Sequence, residues 1–348
     1  MFTKLKTKKM KKSTFLFTIL VFAICANAQK VALHSATGVQ HFTGYSGFSD
    51  ACNSATSGDT IYLPGGGFSS PGTINKQLLV FGAGHYPDST AVTNKTIING
   101  NINLSENADG FHIEGVDITG DFSTVNNHAV DYITIKYCRI QGSINIAGDQ
   151  TNPAMNMMLT NSVLAGDISL SNAQNAGIFN SLFNGKISGT DSNLFQNNIF
   201  FLNDRSSYYT RYTLIGNNNI LENNIFLRTQ DREISGNSNT VKNNVTPKAD
   251  PYWGIAPILN DNYTDIAVEN IFVNQTGNIF DYTHDYHLQA PETYLGTDGT
   301  QVGIYGGPQP WKEGAVPSNP HFVIGNIAPQ SDAEGKLNIE IKVTAQDR

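Results

Sequence analysis

Leu159-Thr160-Asn161-Ser162-Val163-Leu164, Ile178-Phe179-Asn180-Ser181-Leu182-Phe183 and Phe195-Gln196-Asn197-Asn198-Ile199-Phe200 share one pattern: apolar, any, Asn, any, apolar, apolar. The pattern returns as Leu221-Glu222-Asn223-Asn224-Ile225-Phe226, Val241-Lys242-Asn243-Asn244-Val245-Thr246 and Val268-Glu269-Asn270-Ile271-Phe272-Val273. Degenerate copies begin at Ile113, with Gly115 at the pivot, and at Ile135, with Tyr137 there. Successive copies start 17 to 27 residues apart, about 22 on average, and a repeat of that length is the mark of a solenoid.

Each unit alternates with period two over runs of three or four residues, so it is built of strands. Residues 185–202 give the layout: Gly185-Lys186-Ile187-Ser188, then Asn193-Leu194-Phe195-Gln196, a pivot at Asn197, then Asn198-Ile199-Phe200-Phe201. Three short strands per unit make one coil of a parallel β-helix. A bend of one or two residues needs positive φ, which Asn and Gly tolerate and bulky residues resist. On that rule Tyr137 marks a coil that bends differently. Stacked coils are expected to bring Asn161, Asn180, Asn197, Asn223, Asn243 and Asn270 into one amide ladder. A leucine-rich repeat would need regularly spaced leucines that are missing, and a propeller blade would need about 40 residues.

Residues 1–28 read as a secretory signal peptide: six lysines between Lys4 and Lys12, an apolar run from Phe15 to Cys25, and Ala26-Asn27-Ala28 as the cleavage site. The run is too short to span a membrane. Ile24 is bulky where a lipobox needs a small residue, so export without lipidation is expected, with Gln29 first in the mature chain. The mature chain then carries 22 − 6 = 16 basic against 29 acidic residues, a net charge near −13. That balance disfavours nucleic acid and anionic membranes bound through bulk charge and leaves neutral glycans, a calcium-bridged acidic glycan or a local basic patch. Its two cysteines, Cys52 and Cys138, are expected as buried thiols.

Residues 29–110 read as an N-terminal cap with the first irregular coils, including a short helix near Ser49–Thr56 with Ser49 as its N-cap. Residues 111–307 hold the regular coils, and 308–348 form a tail expected to pack on the end of the helix. The fold class is all-β, with one cap helix and no second globular domain.

The Gly58-Asp59-Thr60-Ile61-Tyr62-Leu63-Pro64-Gly65 entry, the stacked Asn turns, and the Tyr286-His287-Leu288, Gly296-Thr297-Asp298-Gly299 and Gly303-Ile304-Tyr305-Gly306-Gly307 ending carry a resemblance. The chain resembles the right-handed parallel β-helix proteins of the pectate-lyase-like superfamily. That superfamily holds lyases, hydrolases, epimerases, adhesins and phage-spike proteins, so the resemblance implies a fold more than an activity. The Asn-Thr-Asp, Asp-Asp, Gly-His-Gly and Arg-x-Lys elements of its polygalacturonase-like members are missing. So are the Trp-x-Asp-His and Arg-x-Pro-x-x-Arg elements of its main pectate lyases.

Chemistry-bearing residues gather at 186–233. Four of the six arginines, Arg205, Arg211, Arg228 and Arg232, fall within 28 residues. The pairs Asp204-Arg205 and Asp231-Arg232 sit at nearly equal offsets in adjacent repeats. A lyase reading gives Lys186, Arg205, Arg211 and Arg232 the neutralising and proton-abstracting roles. Tyr208, Tyr209, Tyr212 and Trp253 would hold the sugar, and Asp204, Asp231 and Glu233 could hold calcium. Lys186 and Glu233 are expected to point outward. The competing readings are a non-catalytic glycan-binding or adhesion solenoid, and plain ion pairs on a solvated face. Asp281, His284, Asp285 and His287 are metal-capable residues placed where the last coil closes. A monomeric, secreted, periplasmic or cell-surface protein that engages polysaccharide, with calcium as the cofactor this chemistry admits, is the expectation.

Overall fold

The computed structural model describes residues 29–125, 128–201, 212–227, 232–318 and 320–344, without the side chains of Arg232, His321 and Val323. It is a parallel β-solenoid of about eight turns, with strands in three sheets. A twelve-stranded first sheet runs from Gly38–Thr43 to Ile258–Asn260, and two eight-stranded sheets complete the coils. Ile113, Ile135, Leu159, Ile178, Phe195, Leu221, Val241 and Leu259 stand in one register.

The six-residue pattern spans the corner between the first and second sheets. Its third position has positive φ in every regular coil: Gly115 71°, Tyr137 49°, Asn161 50°, Asn180 44°, Asn197 58°, Asn223 61° and Asn243 50°. Tyr137 therefore makes the same bend as its neighbours, its ring buried against the flank and Lys136 Nζ 4.9 Å from the ring centre. Its last two positions face opposite ways. Leu164, Phe183, Phe200 and Phe226 point into the coil, with the three rings stacked at 5.0 and 4.8 Å. Val163, Leu182, Ile199 and Ile225 point out and are equally buried. A strand buried on both faces loses its alternation, which is why the pattern ends in two apolar residues.

What covers that outer face is the chain after 270. The copy read at Val268 is not a coil: Val268–Asn270 is a 3-10 turn, and Phe272–Asn274 pairs antiparallel with Asp285–Leu288. The last coil is instead Leu259-Asn260-Asp261-Asn262-Tyr263, with Asp261 at positive φ (47°). Phe272, Phe280, Tyr286, Leu288, Val302, Ile304 and Trp311 build a second core on the second sheet.

The amide ladder also sits one residue from its expected place. Asn161, Asn180, Asn197, Asn223 and Asn243 turn outward and hold the returning chain. Asn243 Nδ2 donates to Leu295 O (3.0 Å), Asn197 Nδ2 to Gly303 O (3.1 Å), Asn180 Nδ2 to Ile304 O and Gly306 O (both 2.8 Å), and Asn161 Nδ2 to Gln309 O (3.4 Å). The inward ladder belongs to the next position. Ser162 N–H donates to Ser181 Oγ, Ser181 N–H to Asn198 Oδ1, Asn198 N–H to Asn224 Oδ1 and Asn224 N–H to Asn244 Oδ1, at 2.9–3.1 Å. A second ladder, Asn193–Asn219–Asn239, does the same where the first sheet is entered.

The tail follows the flank in its first part rather than crossing the end. Residues 295–309 track the Asn corner, Ser318 N–H reaches Glu114 Oε1, and Ser89 Oγ donates to Gly314 O (2.8 Å). A hairpin follows, His321–Ile327 with Ile339–Thr344. At the other end, the antiparallel pair Lys30–Ser35 and Gly38–Thr43 and the helix Gly47–Ser54 close the stack. The helix starts two residues before the expected cap, with Ser46 as N-cap and Ser46 Oγ donating to Asp50 Oδ2 (2.7 Å). Cys52 and Cys138 are buried free thiols, each pushed up to about 12 by burial.

Asn224→Ala removes an acceptor from Asn198 and a buried amide that donates to Phe195 O (2.9 Å). We expect a loss of about 2–3 kcal/mol in denaturant unfolding. A loss below about 0.5 kcal/mol would contradict the inward ladder.

Candidate functional site

The residues expected to carry chemistry fall into two groups. Asp204, Arg205, Tyr208, Tyr209, Arg211, Arg228 and Asp231 lie outside the described residues. The rest sit on or beside the third sheet. Ile187 pairs with Leu214 and Leu214 with Ile234, so the preceding residues Lys186, Thr213 and Glu233 stack in one row. Two rungs separate Lys186 from Glu233, about 10 Å, so these two do not converge. Tyr212 pairs by backbone register with Arg232, and its ring lies 6.3 Å from that of Tyr252.

Glu233 does not face solvent. It is fully buried, accepts from Tyr252 N–H (2.9 Å) and Thr246 Oγ1 (3.3 Å), and lies 3.7 Å from Lys248 Nζ. Burial pushes its pKa up, against the pull of Lys248 and these hydrogen bonds. With an ammonium and two donors already on it, Glu233 anchors the 246–252 segment rather than offering a calcium ligand. Trp253 is buried too, its ring edge-on to Phe226 at 5.3 Å, so it plugs the core instead of presenting a stacking face.

The outward carboxylates of the third-sheet corner are also engaged. Asp121 Oδ1 accepts from Ser143 N–H (2.7 Å), and Asp167 Oδ1 from Lys186 N–H (3.2 Å). Gly142, Gly166 and Gly185 beside them leave no room for a side chain: a Cβ on Gly166 would lie 2.3 Å from Gly142 O. Asp281 and Asp285 cap their own turns through Thr283 and His287.

Among the described residues, the outer side of the first sheet is partly open to solvent, with Glu114 and Thr160 buried within it. One row along the stack reads Tyr62, Phe81, Glu114, Lys136, Thr160, Phe179, Gln196, Glu222, Lys242, Asn260. Beside it run Leu79, His112, Thr134, Met158, Gly177, Leu194, Ile220, Thr240 and Ile258 by the same pairing. Tyr62 is exposed and its ring stacks on Phe81 at 5.6 Å, and Phe81 meets His112 at 5.2 Å. Phe179 lies back over Gly177: a Cβ there would come within 2.4 Å of the ring. Its polar neighbours include Gln196, whose Nε2 donates to Glu222 Oε1 (3.1 Å). Burial raises the Glu222 pKa against the pull of Lys242. The residues of this face occupy the "any" position after each repeat's first apolar residue. The sequence reading passed over them because the repeat constrains that position only to point outward; a period-two search for outward aromatics would have found Tyr62, Phe81 and Phe179.

A buried polar knot joins the flank to the returning chain. His85 Nδ1 is 3.1 Å from Tyr282 Oη, Lys95 and Arg139 lie over the Tyr282 ring, and Arg139 pairs with Asp117 at 3.4 Å. Burial, helped by Arg139 and Lys95, pushes the His85 pKa down to about 3.

No family model matches the chain, and no curated protein matches it. Among solved structures it is similar to "Geobacillus virus E2 - ORF18" at 14% identity and a TM-score of 0.28, over 63% of this chain and 56% of that one. The chain thus spans little more than half of that structure's length.

The knot sets a pH dependence. Unfolded histidine titrates near 6.5 and folded His85 near 3, so between these values the unfolded chain binds a proton that the folded one refuses. The stabilisation is complete above about pH 6.5 and falls as pH drops, by at most ~1.4 kcal/mol per unit. Unfolding free energy should drop between pH 6.5 and 4.5, and His85→Gln should flatten that slope. An unchanged slope in the variant would assign the acid sensitivity to other groups.

Proposed function

We propose that this protein is an exported, non-catalytic solenoid that binds an extended polysaccharide along the outer face of its first sheet. The observation that carries the reading is the solvent-facing row with Tyr62, Phe81 and Phe179, Phe179 laid over Gly177. Sheet faces turned to water are usually polar, so the Tyr62–Phe81 pair and Phe179, separated along the row by Glu114, Lys136 and Thr160, stand out as two aromatic contact points. Aromatic rings offer apolar faces to sugar C–H bonds, while Gln196, Glu222, Lys242 and Thr134 supply donors and acceptors for hydroxyls. The face is long and flat, which suits a polymer rather than a small molecule enclosed in a pocket. The acidic net charge favours a neutral glycan over a uronate one. The separation of Lys186 from buried Glu233 supports binding over lyase chemistry at that corner.

Affinity electrophoresis against neutral and uronate polysaccharides tests this. A neutral glycan should retard the protein, and Tyr62→Ala with Phe179→Ala should weaken binding about tenfold, each ring being worth roughly 0.5–1.5 kcal/mol. The melting temperature should change little, since both rings lie outside the coils. Retention of full binding by the double variant would remove the face from the account. Release of an unsaturated uronate product would favour the lyase reading instead.

A further inference from the structure

The third sheet ends at a corner where the chain turns toward the first, and the coils take that corner in two ways. Ile144–Asn145 and Ile168–Ser169 lie in the third sheet, and the residues that follow, Ala154–Met155 and Ala173–Gln174, pair in a small sheet of their own. In the next coil the two steps fuse: Ile187–Asp191 is one strand, whose register slips at Gly189, a bulge with φ 68°. The slip keeps Thr190 buried, with Thr190 Oγ1 donating to Asn219 Oδ1 (2.9 Å), and leaves Asp191 half-buried at the outside. Gly216 and Gly236 carry the bend through the following coils. Both must be glycine, since a Cβ on Gly216 would lie 2.0 Å from Thr190 O and one on Gly236 1.9 Å from Gly216 O. No side chain fills the bend, and a groove of about 380 Å³ lies over it.

Residues 172–174, 189–191, 215–217 and 235–236 line the groove, so it spans four coils, about 14 Å along the stack. Asp191 is the one charged residue in this lining, and half-buried Ile215 is its apolar patch. Asp191 and Asn217 stand in register, one rung apart. Asp191 Oδ1 accepts from Asn218 Nδ2 (3.0 Å) and Ser192 Oγ (3.2 Å), and Asn217 Oδ1 accepts from Asn237 N–H (2.9 Å). These bonds hold both side chains in place and leave Asp191 Oδ2 as an acceptor beside Asn217 Nδ2 as a donor. Among the described residues neither atom has a partner, and neither do the Gln174 amide and Ser235 Oγ.

We infer that this groove is a carbohydrate site, separate from the first-sheet face, that takes a short stretch of neutral sugar. A sugar hydroxyl both donates and accepts, so a fixed carboxylate oxygen one rung from a fixed amide N–H matches a pair of neighbouring hydroxyls, and the bond to the carboxylate is the stronger, charge-assisted kind. The Gln174 amide and Ser235 hydroxyl extend the same pattern along the groove, and Ile215 meets the C–H side of the ring. Other ligand classes fit less well. Uronates and phosphates would face Asp191 with no cation in the lining to offset it. A nucleobase would find no aromatic ring to stack on, and an apolar ligand would find little beyond Ile215 and Ala173. The volume falls at the small end of ligand sites, which start at about 300 Å³. The groove and the first-sheet face use different residues, so either can fail alone.

Isothermal titration of the purified protein tests it, with cello-, xylo-, manno- and malto-oligosaccharides of increasing length as probes and oligogalacturonates as the anionic control. The titrations are run in the Tyr62→Ala, Phe179→Ala background, which removes the aromatic contact points of the first sheet. At least one neutral series should still bind, with affinity that rises with length and levels off once the groove is filled. Adding Asp191→Asn and Ser235→Ala should weaken that binding about tenfold or more, since hydrogen bonds to charged groups are worth roughly 1.5–3 kcal/mol, with a melt like that of the background. Should Asp191→Asn melt early, Gln174→Ala with Ser235→Ala replaces it. A background that binds none of the neutral series, binding that the groove substitutions leave unchanged, or binding of the oligogalacturonates alone would overturn the site. Loss of all oligosaccharide binding on Tyr62→Ala with Phe179→Ala would assign the sugar to the first-sheet face and overturn it equally.

Discussion

Everything in this molecule follows from one bend: a residue at positive φ between the first and second sheets, repeated once per coil. The bend frees the pivot side chain to leave the coil and turns the next side chain in. An Asn at the pivot is then an outward amide, and a Ser or Asn after it is an inward acceptor one rung from the preceding coil's N–H. The inward groups satisfy backbone donors that would otherwise be orphaned in a dry corner, where each missing partner costs about 1–3 kcal/mol. The outward groups bind the carbonyls of residues 295–309. One local geometry thus sets the coil, stacks it and straps it.

The strap in turn explains the composition of the second sheet. Val163, Leu182, Ile199 and Ile225 would be an apolar stripe in water without the chain after 270, and with it they join a second core. Where the strap passes the early coils, the same outward positions are Asp117 and Arg139, and the contact becomes the knot with His85 and Tyr282. Among the described residues, most of the first sheet's outward row lacks such a cover, Glu114 and Thr160 excepted, so the remaining outward residues are left for contact with something else.

The repeat, its corner and the parallel stacking were legible in the sequence because periodicity and positive-φ chemistry are local. Two local rules misled. The pivot amides were read as one another's partners, whereas a folded-back segment more than 100 residues away claims Asn180 and Asn197. Tyr137 was read as an exception, yet packing around its ring outweighs the modest cost of αL backbone. The copy at Val268 matched the pattern by composition and misses the fold because the stack ends at Leu259. The site was the least legible part: the charged residues of 186–233 stand out by type, but burial decides that Glu233 is an anchor and Trp253 a plug. Outward aromatics such as Phe179 hide inside a strand pattern that any side chain would satisfy.

The account rests on the division of labour between inward rungs and outward pivots, and hydrogen exchange read by mass spectrometry measures it directly. Asn180→Ala with Asn197→Ala should speed exchange in residues 301–309, which lose their amide partners, while peptides over residues 195–200 and 221–226 stay as slow as in the parent. If residues 301–309 exchange as before, or the rungs open together with them, the pivots and rungs are not separate devices and the account fails.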